Sequence, residues 1–331
     1  MDHQLAAASH SLTVNNKMIN NPFTPFLSQN GTAVLDGALA TELERHGRSL
    51  NTPLWSADLL QTEPELIQRV HRDYLYAGAD CLITASYQAT IQGFMAHGMS
   101  EHEAADLIRT SISIAIEVRD RFWDDPTNRH GRAAPPLIAA SVGPYGAYLA
   151  NGAEYTGDYD LDKNGLTDFH RQRWDILAHS GADLLACETL PSLTEAEALL
   201  PLLDTSPIPA WFSFSCRDGR HISDGTPITD CANLLKNHPK VAAIGINCTP
   251  PKHLAELINA TRQTCDLPIV IYPNSGEVYN PENKTWYGTA DPQGFGTAAS
   301  HWQALGATII GGCCRTTPKH IQALANQIQA Q

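Results

Sequence analysis

Eight short apolar runs recur along the chain, each followed by a helical stretch, and this alternation constrains the fold more than any other feature. The runs are Ala33–Leu35, Cys81–Thr84, Leu137–Ser141, Leu184–Ala186, Ala210–Phe214, Val241–Ile246, Ile269–Ile271 and Thr308–Ile310. Between the first two, Pro64–Ala77 carries Leu66, Ile67, Val70, Tyr74 and Leu75, a stripe on one face of an amphipathic helix. Strands alternating with helices imply a parallel sheet. Eight such units in 331 residues predict an α/β fold, a single (β/α)8 TIM-type barrel over residues 31–331. The alternative is an open doubly wound sheet. It would favour a Gly-rich phosphate turn after the first strand, whereas this chain has Asp36-Gly37-Ala38-Leu39-Ala40 there. Residues 1–30 are polar and aperiodic, with Asn15-Asn16 and Asn20-Asn21, and read as a flexible N-terminal arm ending in a docking segment around Phe23 to Leu27.

Charge narrows the partners. With 22 Lys+Arg against 35 Asp+Glu, the net charge is −13, which disfavours nucleic acid and anionic membrane surfaces. No apolar run reaches the roughly 18 residues of a membrane span, and the N-terminus lacks the basic and apolar regions of a secretory signal. The eight cysteines mostly sit singly in apolar stretches, as reduced thiols do in a cytoplasmic protein. Small-molecule substrates are the expected partners; monomer and homo-oligomer stay equally open.

Cysteine placement is the sharpest chemical signal. Gly311-Gly312-Cys313-Cys314-Arg315 follows the eighth strand, and Asn247-Cys248-Thr249-Pro250 follows the sixth. In a parallel barrel both turns open on the C-terminal face, so three thiols can converge. They can hold Zn²⁺ with one position open, form a redox set, or simply be buried core residues. Three thiolates on Zn²⁺ sum to −1, a poor generator of hydroxide but a suitable partner for a fourth thiol. Such a site predicts a thiol substrate attacking an electrophilic carbon. A zinc-dependent barrel hydrolase and a non-enzymatic thiol redox sensor are the competing readings.

Other motifs surround that signal: Leu35-Asp36-Gly37-Ala38, Pro53-Leu54-Trp55-Ser56-Ala57, Thr84-Ala85-Ser86-Tyr87-Gln88-Ala89-Thr90, Ser141-Val142-Gly143-Pro144-Tyr145-Gly146-Ala147, Glu154-Tyr155-Thr156-Gly157, Cys187-Glu188-Thr189 and Tyr272-Pro273-Asn274-Ser275-Gly276-Glu277. In this order, with the two cysteine turns, the chain resembles the zinc-dependent homocysteine S-methyltransferases, most closely those using S-methylmethionine. The resemblance implies Zn²⁺ on Cys248, Cys313 and Cys314, with homocysteine sulfur as fourth ligand and methionine as product. Its donor would be S-methylmethionine or S-adenosylmethionine, with betaine behind, and selenium acceptors are compatible with the same chemistry. Ala38 stands where the family often has Gly.

Substrate contacts are expected from the top loops. Asp36 and Glu188 follow strands 1 and 4 and would hold an ammonium by charge-assisted hydrogen bonds, or serve as caps and ion pairs. The Gly37 amide would meet the substrate carboxylate, and Asn247 and Asn274 would orient it or cap loops. Of the aromatic residues Trp55, Tyr87, Tyr145, Tyr148, Tyr155 and Trp286, Tyr87 and Tyr145 are the first choices for facing a sulfonium donor. No general base is assigned.

Overall fold

The computed structural model describes residues 21–48, 59–129, 131–280, 285–287 and 290–330. Its strands are β1 (Ala33–Val34), β2 (Cys81–Ile83), β3 (Leu137–Val142), β4 (Leu184–Leu190), β5 (Ala210–Phe214), β6 (Val241–Asn247), β7 (Ile269–Tyr272), the hairpin β8 (Val278–Asn280) and β9 (Thr285–Tyr287), and β10 (Ala307–Ile310). Eight of them form one parallel sheet in the order β1-β10-β7-β6-β5-β4-β3-β2. A parallel bridge between Leu35 and Cys81 joins its two ends, and the Asp36 amide donates to the Cys81 carbonyl at 3.0 Å. The sheet is thereby a closed (β/α)8 barrel. The antiparallel β8–β9 hairpin lies in the β7–β10 connection and is an element the apolar pattern did not announce.

Two apolar clusters build the body. One fills the space between sheet and helices and includes Ile67, Val70, Ile108, Leu199, Leu257 and Leu324. The other fills the barrel interior. There Ala139, Ala186 and Ala243 leave room for the fully buried rings of Trp211 and Tyr272. Large beside small is how a closed ring reaches native packing density.

The lower end of the barrel is sealed by residues counted with the arm in the sequence reading. Thr24–Asn30 is a helix, Phe23 and Phe26 are buried within the interior cluster, and the Phe23 ring lies 6.0 Å from that of Trp211. Asn21 donates from Nδ2 to the Ala242 carbonyl at 2.7 Å, near the start of β6. Residues 21–30 therefore pack on the barrel, Phe23 and Phe26 lying in the docking segment expected around Phe23 to Leu27, because two aromatic side chains repay the ordering of this segment. Residues 1–20 of the expected arm lie outside the described residues.

Candidate functional site

The turn after β10 is shaped by close approach. A Cβ on Gly311 would come within 2.5 Å of Leu35 Cβ, and one on Gly312 within 2.4 Å of Thr316 Oγ1, so only glycine lets this backbone press against the β1 turn. Gly312 donates to the Asp36 carbonyl (3.1 Å) and Cys313 to the Pro273 carbonyl (2.7 Å). Thr316 Oγ1 accepts from the Ala38 amide (3.2 Å) and donates to the Cys313 carbonyl (2.7 Å). Across β7, the Cys248 amide donates to the Tyr272 carbonyl at 3.1 Å. Strands β6 and β10 both pair with β7, which brings the two cysteine turns to one side of the mouth.

The three thiols meet. The Sγ atoms of Cys248, Cys313 and Cys314 all lie within 4.8 Å of one another, and those of Cys248 and Cys314 are 3.4 Å apart. A tetrahedral zinc with bonds of about 2.3 Å spaces its sulfurs about 3.8 Å apart, so this donor set has the size and softness the ion requires. Hydrogen bonds from the neighbouring thiols pull Cys314 well below the ordinary thiol range, while the same neighbours push Cys313 up.

Three residues around the mouth adopt left-handed backbone without being glycine: Thr189 (φ 59°), Cys248 (φ 50°) and Arg315 (φ 67°). Such a conformation is costly, above all for β-branched Thr. Asn247 holds Thr189 there, accepting from its amide at 2.8 Å and donating to its Oγ1 at 2.7 Å. The Asn247 side chain, expected to orient substrate or cap a loop, makes this clasp with one N–H and one oxygen lone pair. Arg315 is held by its amide bond to Thr41 Oγ1 (3.0 Å) and by Nε donating to Glu277 (3.1 Å).

Asp36 and Glu188 are both buried at the mouth. Asp36 Oδ2 accepts from the Ile83 amide at 2.9 Å, while its Oδ1 is buried without a partner. Burial pushes Asp36 well above the usual carboxylate range, and the charge of Glu188 adds to the rise. Glu188 accepts from Ser141 Oγ. Burial pushes its pKa to about 7. Two buried carboxylates, the charge of one raising the other, are the arrangement a cationic group would relieve.

The aromatic expectations divide. The Tyr87 hydroxyl is pushed up by burial and by the charges of Glu154, Cys248 and Glu188, so it belongs to the mouth. The ring of Tyr145 instead packs in a cluster with Tyr148, Tyr159 and Phe169 at 5.8, 5.3 and 4.9 Å. The ring that reaches the thiols is Tyr155, whose hydroxyl lies 3.4 Å from Cys248 Sγ. At 46% exposure it stands between the cluster and solvent. Glu154, beside it, has a buried oxygen without a partner. Sequence reasoning passed over Glu154 and ranked Tyr155 below Tyr145; adjacency within Glu154-Tyr155-Thr156-Gly157 was the available signal. Asn274 sits in the β7 turn, its amide donating to the Thr249 carbonyl (3.2 Å) and its Oδ1 buried without a partner. Gly37 packs against Tyr74, where a Cβ would come within 2.8 Å of the ring. Trp55 and the Trp286 side chain lie outside the described residues.

Comparison with known proteins agrees with this geometry. A family model described as homocysteine S-methyltransferase matches residues 33–328. Homocysteine S-methyltransferase YbgG of Bacillus subtilis is 55% identical over 306 residues, covering 92% of this chain and 97% of that protein. A selenocysteine Se-methyltransferase of Brassica oleracea is 46% identical over 308 residues, covering 90% and 89%. Among solved structures, the metallated form of the homocysteine methyltransferase MmuM from Escherichia coli superposes with a TM-score of 0.83 at 45% identity, covering 93% of this chain and all of that one.

Proposed function

Because the chain belongs to the homocysteine S-methyltransferase family, we propose that Cys248, Cys313 and Cys314 hold its zinc and that Asp36 and Glu188 hold the amino group of homocysteine. The reaction is methyl transfer to homocysteine, giving methionine. The observation that carries the site reading is the convergence of three sulfurs from two distant turns. A hydrolytic metal site would want imidazole or carboxylate ligands and a base to activate water, and the group assembled here offers only sulfur.

The protein's own residues do most of the work by placement. Asp36 and Glu188 bind the ammonium, which removes the cost of burying two like charges. With that end fixed, the homocysteine side chain extends toward the thiols. When bound, zinc lowers the pKa of the substrate thiol, so the sulfur meets the methyl group as a nucleophile at neutral pH. Tyr155 brings its hydroxyl to Cys248 Sγ, and the charge of the same sulfur reaches Tyr87, so two aromatic side chains stand near the proposed metal site. A sulfonium donor is attracted to ring faces and to the anionic mouth, and the neutral thioether left after transfer is not. Displacement is in line: the new S–CH₃ bond forms as the donor's C–S⁺ bond breaks, and the thiol proton passes to solvent. Positioning the two sulfurs about one carbon supplies much of the acceleration.

S-methylmethionine is the preferred donor on this reading, S-adenosylmethionine a weaker one, and selenium acceptors fit the same soft site. Eight reduced cysteines fit a reducing compartment, the cytosol. No helix among the described residues is long and apolar enough to cross a membrane.

Cys248→Ser tests the ligand set. Zinc content by elemental analysis and methionine formation from homocysteine and S-methylmethionine are expected to fall together. A variant keeping full zinc and full turnover would sink the assignment. A panel of S-methylmethionine, S-adenosylmethionine and betaine, with methionine as readout, ranks the donors.

A further inference from the structure

We propose that Glu277 and Arg315 are positioning residues for the metal ligand Cys314: their ion pair holds Arg315 in left-handed backbone, and that conformation keeps Cys314 turned toward Cys248. The inference rests on the reading of the three cysteines as zinc ligands and adds the device that aims one of them.

Cys313–Thr316 is a tight turn, closed by the Thr316 amide donating to the Cys313 carbonyl at 3.0 Å. Its two corner residues are Cys314 and Arg315. Arg315 has φ 67°, and Cys314 does not share the positive φ. A positive φ at the third position alone is the type II pattern, in which glycine is the favoured residue at that place. A side chain with a Cβ lowers the population of such a turn about tenfold. Something must offset that cost at Arg315.

The contacts that do so are polar and come from two sides. Arg315 Nε donates to Glu277 Oε2 at 3.1 Å. Its amide donates to Thr41 Oγ1 at 3.0 Å, on the helix Leu39–Arg45. Glu277 is fixed in turn, because Ser275 Oγ donates to the same Oε2 at 3.1 Å. The Glu277 side chain is only 9% exposed, so this ion pair is better sheltered than an open surface pair. The Ser275 amide also donates to the Cys314 carbonyl at 3.0 Å. One short segment, Ser275 to Glu277, therefore grips both corners: Cys314 by its carbonyl and Arg315 by its side chain.

The ends of the turn are tied down as well, Cys313 to the Pro273 carbonyl and Thr316 to the Ala38 amide. Between fixed ends, a change of φ at Arg315 is taken up chiefly at its neighbour Cys314, whose Sγ lies 3.4 Å from that of Cys248. Losing the ion pair would thus lower the fraction of protein whose sulfurs are ready for the ion, and apparent affinity falls with that fraction. The competing role for Arg315 is to neutralise the anionic cluster by its charge. Glycine separates the two roles, since it has no charge and no cost in left-handed backbone.

The experiment uses full-length protein and measures the zinc dissociation constant by competition with a chromophoric chelator. It compares wild type, Arg315→Ala, Arg315→Gly, Glu277→Ala, the Glu277→Ala/Arg315→Gly double variant and Cys314→Ser. Arg315→Ala and Glu277→Ala lose the pair and keep the backbone cost, so each is expected to raise the constant about tenfold. Arg315→Gly loses both and should stay within about threefold of wild type. Adding Arg315→Gly to Glu277→Ala should bring the constant back to within about threefold of wild type, a rescue that a charge role does not allow. Equal losses in Arg315→Gly and Arg315→Ala, or no rescue of Glu277→Ala by glycine, overturn the proposal. The rescue of Glu277→Ala decides the matter alone if Arg315→Ala does not fold. Full zinc retention in Cys314→Ser overturns the ligand reading and this inference with it; zinc lost in Cys314→Ser but unchanged in Arg315→Ala and Glu277→Ala overturns the inference alone.

Discussion

Glu188 shows how a single buried carboxylate ties stability to function. Burial raises its pKa from 4.5 to about 7 in the folded protein. Between those values the folded state holds a proton the unfolded state has lost, so stability falls as pH rises. The contribution is complete below about pH 4.5 and gone above about 7, and its full size is on the order of 3 kcal/mol. Urea unfolding of metal-free protein should show the wild type losing stability relative to Glu188→Gln across that window; parallel pH profiles would contradict it. Asn247 makes the complementary case. Its two bonds to Thr189 hold a β-branched residue in left-handed backbone, so Asn247→Ala orphans a buried amide and hydroxyl and should cost about 1–3 kcal/mol in urea unfolding. That role could not be read from Asn247-Cys248 in the sequence, because a residue beside a ligand looks like a substrate contact until its partner 58 positions away is known. The same holds for Tyr145 and Tyr155. Both lie in the loops after β3, and only packing reveals that Tyr145 joins an aromatic cluster while Tyr155 reaches Cys248.

At the scale of elements, all eight barrel strands were legible, because a parallel strand buried on both faces is a continuous apolar run. Capping follows local chemistry: Ser100 caps the helix Glu101–Asp124 through reciprocal bonds with Glu103, and in two Gly-Ala-Asp turns Asp80 and Asp183 accept from the amides of Val34 and Ile138. What escaped was the helix Thr24–Asn30, too short for a period and preceded by polar residues, and the β8–β9 hairpin, where three-residue strands leave no alternation to count. The helix matters for stability. Phe23 is fully buried at the base of the barrel, so Phe23→Ala should lower unfolding free energy by about 3–5 kcal/mol, measured by denaturant titration. A loss below about 1 kcal/mol would show that the plug is dispensable.

The whole molecule is a closed ring whose proposed ligands come from β6 and β10, on either side of β7. An ion bound there joins elements far apart in sequence and has no equivalent in the unfolded chain. Stripping zinc with a chelator should therefore lower the melting temperature, and restoring it should raise the temperature in a concentration-dependent way; an unchanged melting curve would mean the ion adds nothing to the fold. Cys313 and Cys314 lie in the turn before the helix Pro318–Gln329, well after Cys248 in the chain, so they leave a ribosome later than Cys248 does. A chain still being made can own Cys248 and yet lack its two partners, and it stays unable to capture metal until the ring is complete. Cobalt substituted for zinc would turn that into a visible signal: the thiolate absorption band would report, from one refolding molecule to the next, the moment at which the barrel shuts.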